Sequence, residues 1–419
     1  MSTKSTALPT GSVLIPGLSR VTESRPPSAV AVAAKGLEVR FSDGSTCLDG
    51  ASGLWNVMFG HANPRVNAAV TEALETAGYL KCFETSNSYA EDAARALIAE
   101  CPAFRAVMFS TSGASANDLA LKLVRQYAHH TGRPERNGVV ALNGSWHGLT
   151  FGAFSLTGEQ LGQTMYGVDR RFVVHCQPND AGQLSALFEK NGDRIAAVFV
   201  EPVLGSGVIE LQQEFLDTLE QLRARHEFLV VADEVTTGFW RTGPFLASSR
   251  WSFDPDVVIL SKALTNGTCA ASAVLLGPRL HDVLQDADAV VAHAETQAGT
   301  PPSCAAITAV LAEGAALDAV QRADDLSQAL VEHLTALAKT HPAVASFNGL
   351  GAMYAIEIHD LAATDSSALA AIRDCGALVH KSPGGIQLMP SLLYTADDLR
   401  RLFESISAGI TRWQSSALS

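Results

Sequence analysis

Charge is scarce in this 419-residue chain. Only 17% of its residues are Asp, Glu, Lys or Arg, and acidic residues outnumber basic ones 43 to 30, for a net charge of −13. The shortage of basic residues argues against nucleic acid or an anionic membrane surface as partner, because both are held through Lys and Arg clusters. Cysteine is also sparse. The seven residues Cys47, Cys82, Cys101, Cys176, Cys269, Cys304 and Cys375 form no CxxC pair, and their number is odd. That fits free thiols in a reducing cytoplasm better than a disulfide framework or a zinc site. No apolar run approaches the roughly 20 residues of a membrane-spanning helix. The N-terminus, MSTKSTALPTGSVLIPGL, lacks the apolar core of a signal peptide, so a cytoplasmic location is expected. There is no internal repeat and no low-complexity tract. What is abundant is apolar surface: 47% of residues are hydrophobic, enough for two or three domains around a large core.

The chain begins with a Pro- and Ser-containing stretch, residues 1–28, with little periodicity, which reads as an arm. Residues 37–50, LEVRFSDGSTCLDG, read as a hairpin around Ser42-Asp43-Gly44. The spacing of Val66, Val70 and Leu74 predicts a helix from Pro64 to Ala77. From Ala106 onward strands and helices alternate: strands at 106–110, 138–143, 195–200, 228–232, 257–260 and 271–276, with helices at 118–128 and 215–226 between them. That alternation predicts a mostly parallel sheet flanked by helices. After about Pro301 the pattern changes to long helices at 303–316 and 323–339, short strands within 346–389, and a final helix at 396–413. The expected fold is therefore α/β: a large domain with a seven-stranded type of sheet (61–315), and a smaller α+β domain formed by both chain ends (29–60 with 316–419).

The chain's chemistry centres on residues 228–264. One apolar run, Phe228 to Ala232, ends in Asp233 and Glu234, and a second, Val257 to Leu260, ends in Ser261 and Lys262. Two buried parallel strands with charged groups at their carboxyl ends are where open α/β sheets bind ligands. The acid and the lysine admit two readings. One is a structural ion pair. The other is a pyridoxal phosphate (PLP) site, with the lysine as Schiff-base partner and the acid on the pyridinium nitrogen.

Other motifs bear on that choice. FSTSGASAND (109–118) ends a strand and opens a helix, and the small residues Ser112, Gly113 and Ala114 leave backbone N–H groups open to an anion. SWHGLT (145–150) places an aromatic ring, Trp146, before His147 and a glycine turn. EPVLGSG (201–207) sets Glu201 at a strand end before a glycine loop. HAETQAGTPPSCAA (293–306) puts polar groups and Pro-Pro before a helix, as a loop. Read singly, each is also a cap, a core residue or an ordinary loop.

Together, in this order, SGASAND, WHG, EPV, DEVTTGFWRTG, SKAL and TQAGTPPSCAA resemble the class III aminotransferases, PLP enzymes of fold type I, over about residues 35–415. The DEV, TGF and RTG elements, with the lysine 29 residues after the Asp, are the most specific part. LDGASGLWNVMFGHANPRV resembles the ω-amino acid and amine transaminases of that family. The resemblance implies that Lys262 is the Schiff-base lysine and proton shuttle, and that Asp233 pairs with the pyridinium N–H. Val235 would pack on one ring face and Trp146 on the other. Gly113 and Ala114, with Ser112, would bind the phosphate. Thr296 would reach the phosphate of the neighbouring subunit's cofactor, which implies a homodimer with shared active sites. His147, Glu201 and Thr236 fall in the cofactor's surroundings, and Trp55, Phe83 and Trp146 are expected pocket walls.

The departures from the family pattern carry information. Ala114 stands where a Ser or Thr is usual, and Thr236 where Gln is frequent. Many members pair a Glu five residues beyond the EP glutamate with an Arg that grips a substrate carboxylate; this chain has Ser206 and Gln387 there. Losing one partner alone would strand a buried charge, at about 3–5 kcal/mol, whereas losing both is self-consistent. The expected activity is ping-pong transamination from an amine or amino acid donor to an acceptor that is not an ordinary 2-oxo acid: a ketone or aldehyde, including a peptide or natural-product intermediate. The alternatives are a PLP-dependent racemase or aminomutase, and a binding subunit that keeps the fold without the chemistry.

Overall fold

A computed structural model describes residues 13–21, 30–362 and 365–417. Of the arm expected over 1–28, only residues 13–21 are described, as an irregular segment without helix or strand; the rest lies outside the described residues.

The main sheet has seven strands. Their order is Ala106–Ser110, Ser272–Leu276, Val257–Leu260, Leu229–Asp233, Ile195–Val200, Gly138–Leu142 and Val173–Cys176. All neighbouring strands are parallel except Ser272–Leu276, which runs antiparallel to both of its neighbours. The three central strands are buried along their whole length, as expected where helices cover both faces of a sheet. Successive residues of a strand face opposite sides. Accordingly Leu229 and Val231 pack with Leu119, Leu123 and Val124 of the helix Gly113–His130, while Val230 packs on the other face with Phe215 and Leu219 of the helix Gln213–His226.

A four-stranded antiparallel sheet follows in the order Val344–Leu350, Met353–Ile358, Gly385–Leu388, His380–Ser382. The expected hairpin forms from Glu38–Phe41 and Thr46–Asp49, its turn closed by Asp43, whose carboxylate accepts from the Ser45 amide and hydroxyl. Ala377–Leu378 then adds in parallel to Thr46–Asp49, so the two ends of the chain share one sheet. The helices expected near 64–77, 303–316, 323–339 and 396–413 are Pro64–Thr76, Pro301–Ala316, Ala319–Thr340 and Ala396–Ala417. Helices Ser88–Glu100, Phe151–Leu156, Ala181–Asn191 and Pro278–Asp286, and the edge strand Val173–Cys176, were not anticipated. Among the described residues no single helix is long and apolar enough to cross a membrane.

Candidate active site

The parallel pairing of Leu229–Asp233 with Val257–Leu260, which sets Asp233 beside Ile259, brings two polar strand ends together at the carboxyl edge of the sheet. Asp233 is buried and held by three groups. One carboxylate oxygen accepts from Asn117 Nδ2 at 2.8 Å and lies 2.8 Å from His147 Nδ1; the other accepts from the Val235 amide at 3.1 Å. Asn117 also donates to the His147 carbonyl at 3.1 Å. Burial alone would push the His147 pKa down, but the hydrogen bond and the charge of Asp233 outweigh it and hold the pKa above its ordinary value.

Lys262 opens a short 3-10 turn, Lys262–Thr265. Its φ of +43° lies in the left-handed region, where a non-glycine residue is strained and where strain tends to mark a functional position. Its Nζ donates to Thr236 Oγ1 at 2.7 Å and sits 4.2 Å from the centre of the Trp55 ring. Burial lowers its pKa below the usual lysine value, and the carboxylates of Glu201 and Asp233 offset part of that drop. Lys262 and Asp233 form no ion pair, so the structural-pair reading of these two groups fails.

The helix Gly113–His130 starts beside them. Ser112 caps it by accepting from the Ser115 amide at 3.2 Å, and Ser115 Oγ in turn accepts from the Ser112 amide. The approach is close. A Cβ on Gly113 would come 3.0 Å from a Val235 methyl, and one on Gly148, whose φ is +117°, would come 2.4 Å from the Ala114 Cβ. Only glycine at 148 lets the WHG turn pass against the helix start. Glu201 then ties two loops together, accepting from the Trp146 amide at 2.8 Å and from the Gly205 amide at 2.9 Å. Burial pushes its pKa up.

Most of the residues singled out in the sequence therefore converge: Ser112, Gly113, Ala114, Trp146, His147, Glu201, Asp233, Val235, Thr236 and Lys262, with Trp55 over the lysine. Gly205 packs against Glu201, Trp55 and Thr236. Its carbonyl accepts from Gln387 Nε2 at 2.8 Å, and the hydroxyl of its neighbour Ser206 donates to Glu159. Two expected residues lie elsewhere in the chain. Phe83 lines a cavity of about 310 Å³ with Cys82, Met108, His293 and Glu295. Thr296 sits in the adjoining turn, where its carbonyl accepts from Tyr79 at 3.1 Å. Sequence reasoning assigned no role to Asn117, Glu159 or His380. Asn117 was within reach, since an amide four residues after Gly113 lies on the same helix face; the other two have no local signal.

These groups suit PLP. A desolvated amine, a carboxylate fixed by two partners and open amides at a helix N-terminus are the three holds that the cofactor's aldehyde, ring nitrogen and phosphate require. The family model for class III aminotransferases matches residues 20–410. The chain belongs to the class III aminotransferases. As a member of that family it is a PLP-dependent transaminase. This aminotransferase is 34% identical over 395 residues to the acetylornithine aminotransferase of Mycobacterium tuberculosis, covering 92% of both chains. It is 29% identical over 401 residues to the omega-aminotransferase of Caulobacter vibrioides, covering 89% of this chain and 91% of that one. Among solved structures, the aminotransferase is similar to a PLP-bound amine transaminase from an uncultivated Pseudomonas species, with a TM-score of 0.87 at 28% identity over 98% of this chain and 99% of that one.

Proposed function

We propose that this aminotransferase moves an amino group from an amine or amino acid donor to a ketone or aldehyde acceptor that carries no carboxylate at the recognition site. The observation that carries the reading is Gln387. It is 1% exposed, its Nε2 is committed to the Gly205 carbonyl, and it offers no positive charge to a substrate. Beside it, Ser206 holds the carboxylate of Glu159, which repels a second carboxylate. A pocket built this way lacks the bidentate clamp that an Arg provides.

Bound PLP supplies the electron sink that makes the substrate Cα–H acidic. Asp233, fixed by Asn117 and His147, holds the proton on the ring nitrogen. Lys262 Nζ is the base that takes the Cα proton, and Thr236 Oγ1 positions it. Val235 and Trp146 would flank the ring, and the amides of Gly113 and Ala114 would bind the phosphate. Trp55 and Gln387 come from 29–60 and 316–419, which act as one unit set against the cofactor-binding unit 61–315. The working form is a cytoplasmic homodimer in which Thr296 from a second copy completes each phosphate site. Tyr79, Leu80 and Phe83, each more than 40% exposed, form the apolar face beside that turn and support the pairing.

The test is an acceptor comparison with the amine-loaded enzyme. Turnover with ketones and aldehydes lacking a carboxylate, well above that with 2-oxoglutarate, is expected. Excellent turnover with 2-oxoglutarate and none with neutral carbonyls would refute the reading. Donor alone should exhaust the visible absorption of the PLP-loaded enzyme. If it persists while donor stereochemistry scrambles, racemisation is the reaction instead.

A further inference from the structure

His380 and Gln387 are direct antiparallel partners, His380–Ser382 running against Gly385–Leu388. Directly opposed residues send their side chains to the same face of a sheet. On that face the His380 ring stands edge-on to Trp55, 5.1 Å between centroids at 81°, and Trp55 in turn covers the Lys262 amine. Gln387 gives one N–H of its amide to the Gly205 carbonyl, and its Oε1 is buried with no hydrogen-bond partner. The His380 ring nitrogens make no hydrogen bond among the described residues. One unmet acceptor and one free imidazole thus stand together one ring's width from the reacting amine.

We propose that His380 and Gln387 form the acceptor-recognition wall and take a carbonyl substrate that bears an amide, whose N–H is accepted by Gln387 Oε1 and whose C=O receives a hydrogen bond from His380. This rests on the reading that the acceptor has no carboxylate. The chemistry of the pair matches an amide and mismatches an acid. Burial, and then the charge of Lys262, hold the His380 pKa below its ordinary value, so near neutral pH the imidazole is an uncharged donor. A carboxylate would set its oxygens against Gln387 Oε1. A ketone without the amide would leave Oε1 unmet, and a buried acceptor without a partner is unfavourable. A peptide-like acceptor satisfies both groups.

The amine-loaded enzyme, regenerated by a saturating amino donor, tests this with two acceptors that differ at one group. Acetamidoacetone carries the amide, and 2,5-hexanedione replaces its N–H by CH2. The expected KM for acetamidoacetone is about three- to tenfold lower, the range for one neutral hydrogen bond. Gln387→Leu should collapse that ratio toward one. His380→Leu, which removes a donor to a carbonyl that both compounds carry, should raise both KM values and leave the ratio in place, and His380→Gln, which keeps a donor, should restore part of the lost affinity. The ratio is the readout for Gln387, and rescue by glutamine is the readout for His380, because general damage to the fold would give neither pattern. Equal KM values in the parent enzyme, a ratio that survives Gln387→Leu, or KM values unchanged in His380→Leu overturn the assignment of His380 and Gln387 while leaving the neutral-acceptor reading intact. Failure of both acceptors beside rapid turnover of 2-oxoglutarate overturns the two together.

Discussion

Thr236 marked a departure in sequence, a hydroxyl where a longer amide is frequent, and in the structure that hydroxyl accepts the hydrogen bond of the Lys262 amine. The contact bears on how the lysine titrates. Burial disfavours its charged form and brings its pKa down from the ordinary 10.5. A lysine with a lowered pKa loses its proton at lower pH, and the neutral amine is the nucleophile. Capture of PLP by cofactor-free enzyme, followed by its visible absorption, should therefore accelerate with pH and level off below pH 10.5. Thr236→Val removes an acceptor that serves the ammonium better than the amine, so its plateau should fall at still lower pH. A parent enzyme that levels off only above the ordinary lysine value contradicts this account.

Between elements, the site depends on loops that approach more closely than most side chains permit. The WHG turn crosses the start of the helix Gly113–His130 at Gly148, with no room for a Cβ and with φ at +117°. Gly148→Ala should lose about 1–3 kcal/mol of stability from backbone strain and overpacking and release PLP more readily. Unchanged thermal denaturation and unchanged cofactor retention would show that the turn relaxes freely. The motifs on either side of this crossing were legible in sequence because they pair small residues with strand ends. The strands 195–200, 229–233 and 257–260 were legible because burial on both faces makes them continuous apolar runs. Direction was not: the run 272–276 has the same composition but pairs antiparallel, and an apolar run carries no sign of its polarity. Val173–Cys176 escaped because it is an edge strand with His175 in it and three of its four residues at least partly exposed. Glu159 and His380 escaped because they meet Ser206 and Trp55 only through the tertiary fold.

At the scale of the whole molecule, the proposed pocket walls come from chain segments far apart in sequence, and one residue ties those segments together. Arg241, from the loop after Asp233, is fully buried. Its guanidinium donates to the carbonyls of Pro390 at 2.7 Å, Ala352 at 3.4 Å and Trp55 at 3.5 Å, and its own carbonyl accepts from the Ala352 amide at 2.8 Å. Among the described residues no carboxylate pairs with it. Burial brings its pKa down to about 9, with Asp49 offsetting part of the drop. A cation held by carbonyls alone is poorly compensated as a charge, so its contribution must lie in the three segments it fixes: the loop bearing Trp55, the turn before Met353–Ile358, and the chain leaving Gly385–Leu388. A planar fork can reach three acceptors in fixed directions, and an ammonium cannot. Arg241→Lys should therefore be destabilising in urea denaturation, by about 2–4 kcal/mol, from lost packing and unmet carbonyls. Because Arg241 holds Trp55 and the chain three residues beyond Gln387, the folded fraction of the variant should also show a raised KM for the acceptor. A denaturation midpoint and a KM both equal to the parent's would mean that the two ends of the chain hold the pocket without it.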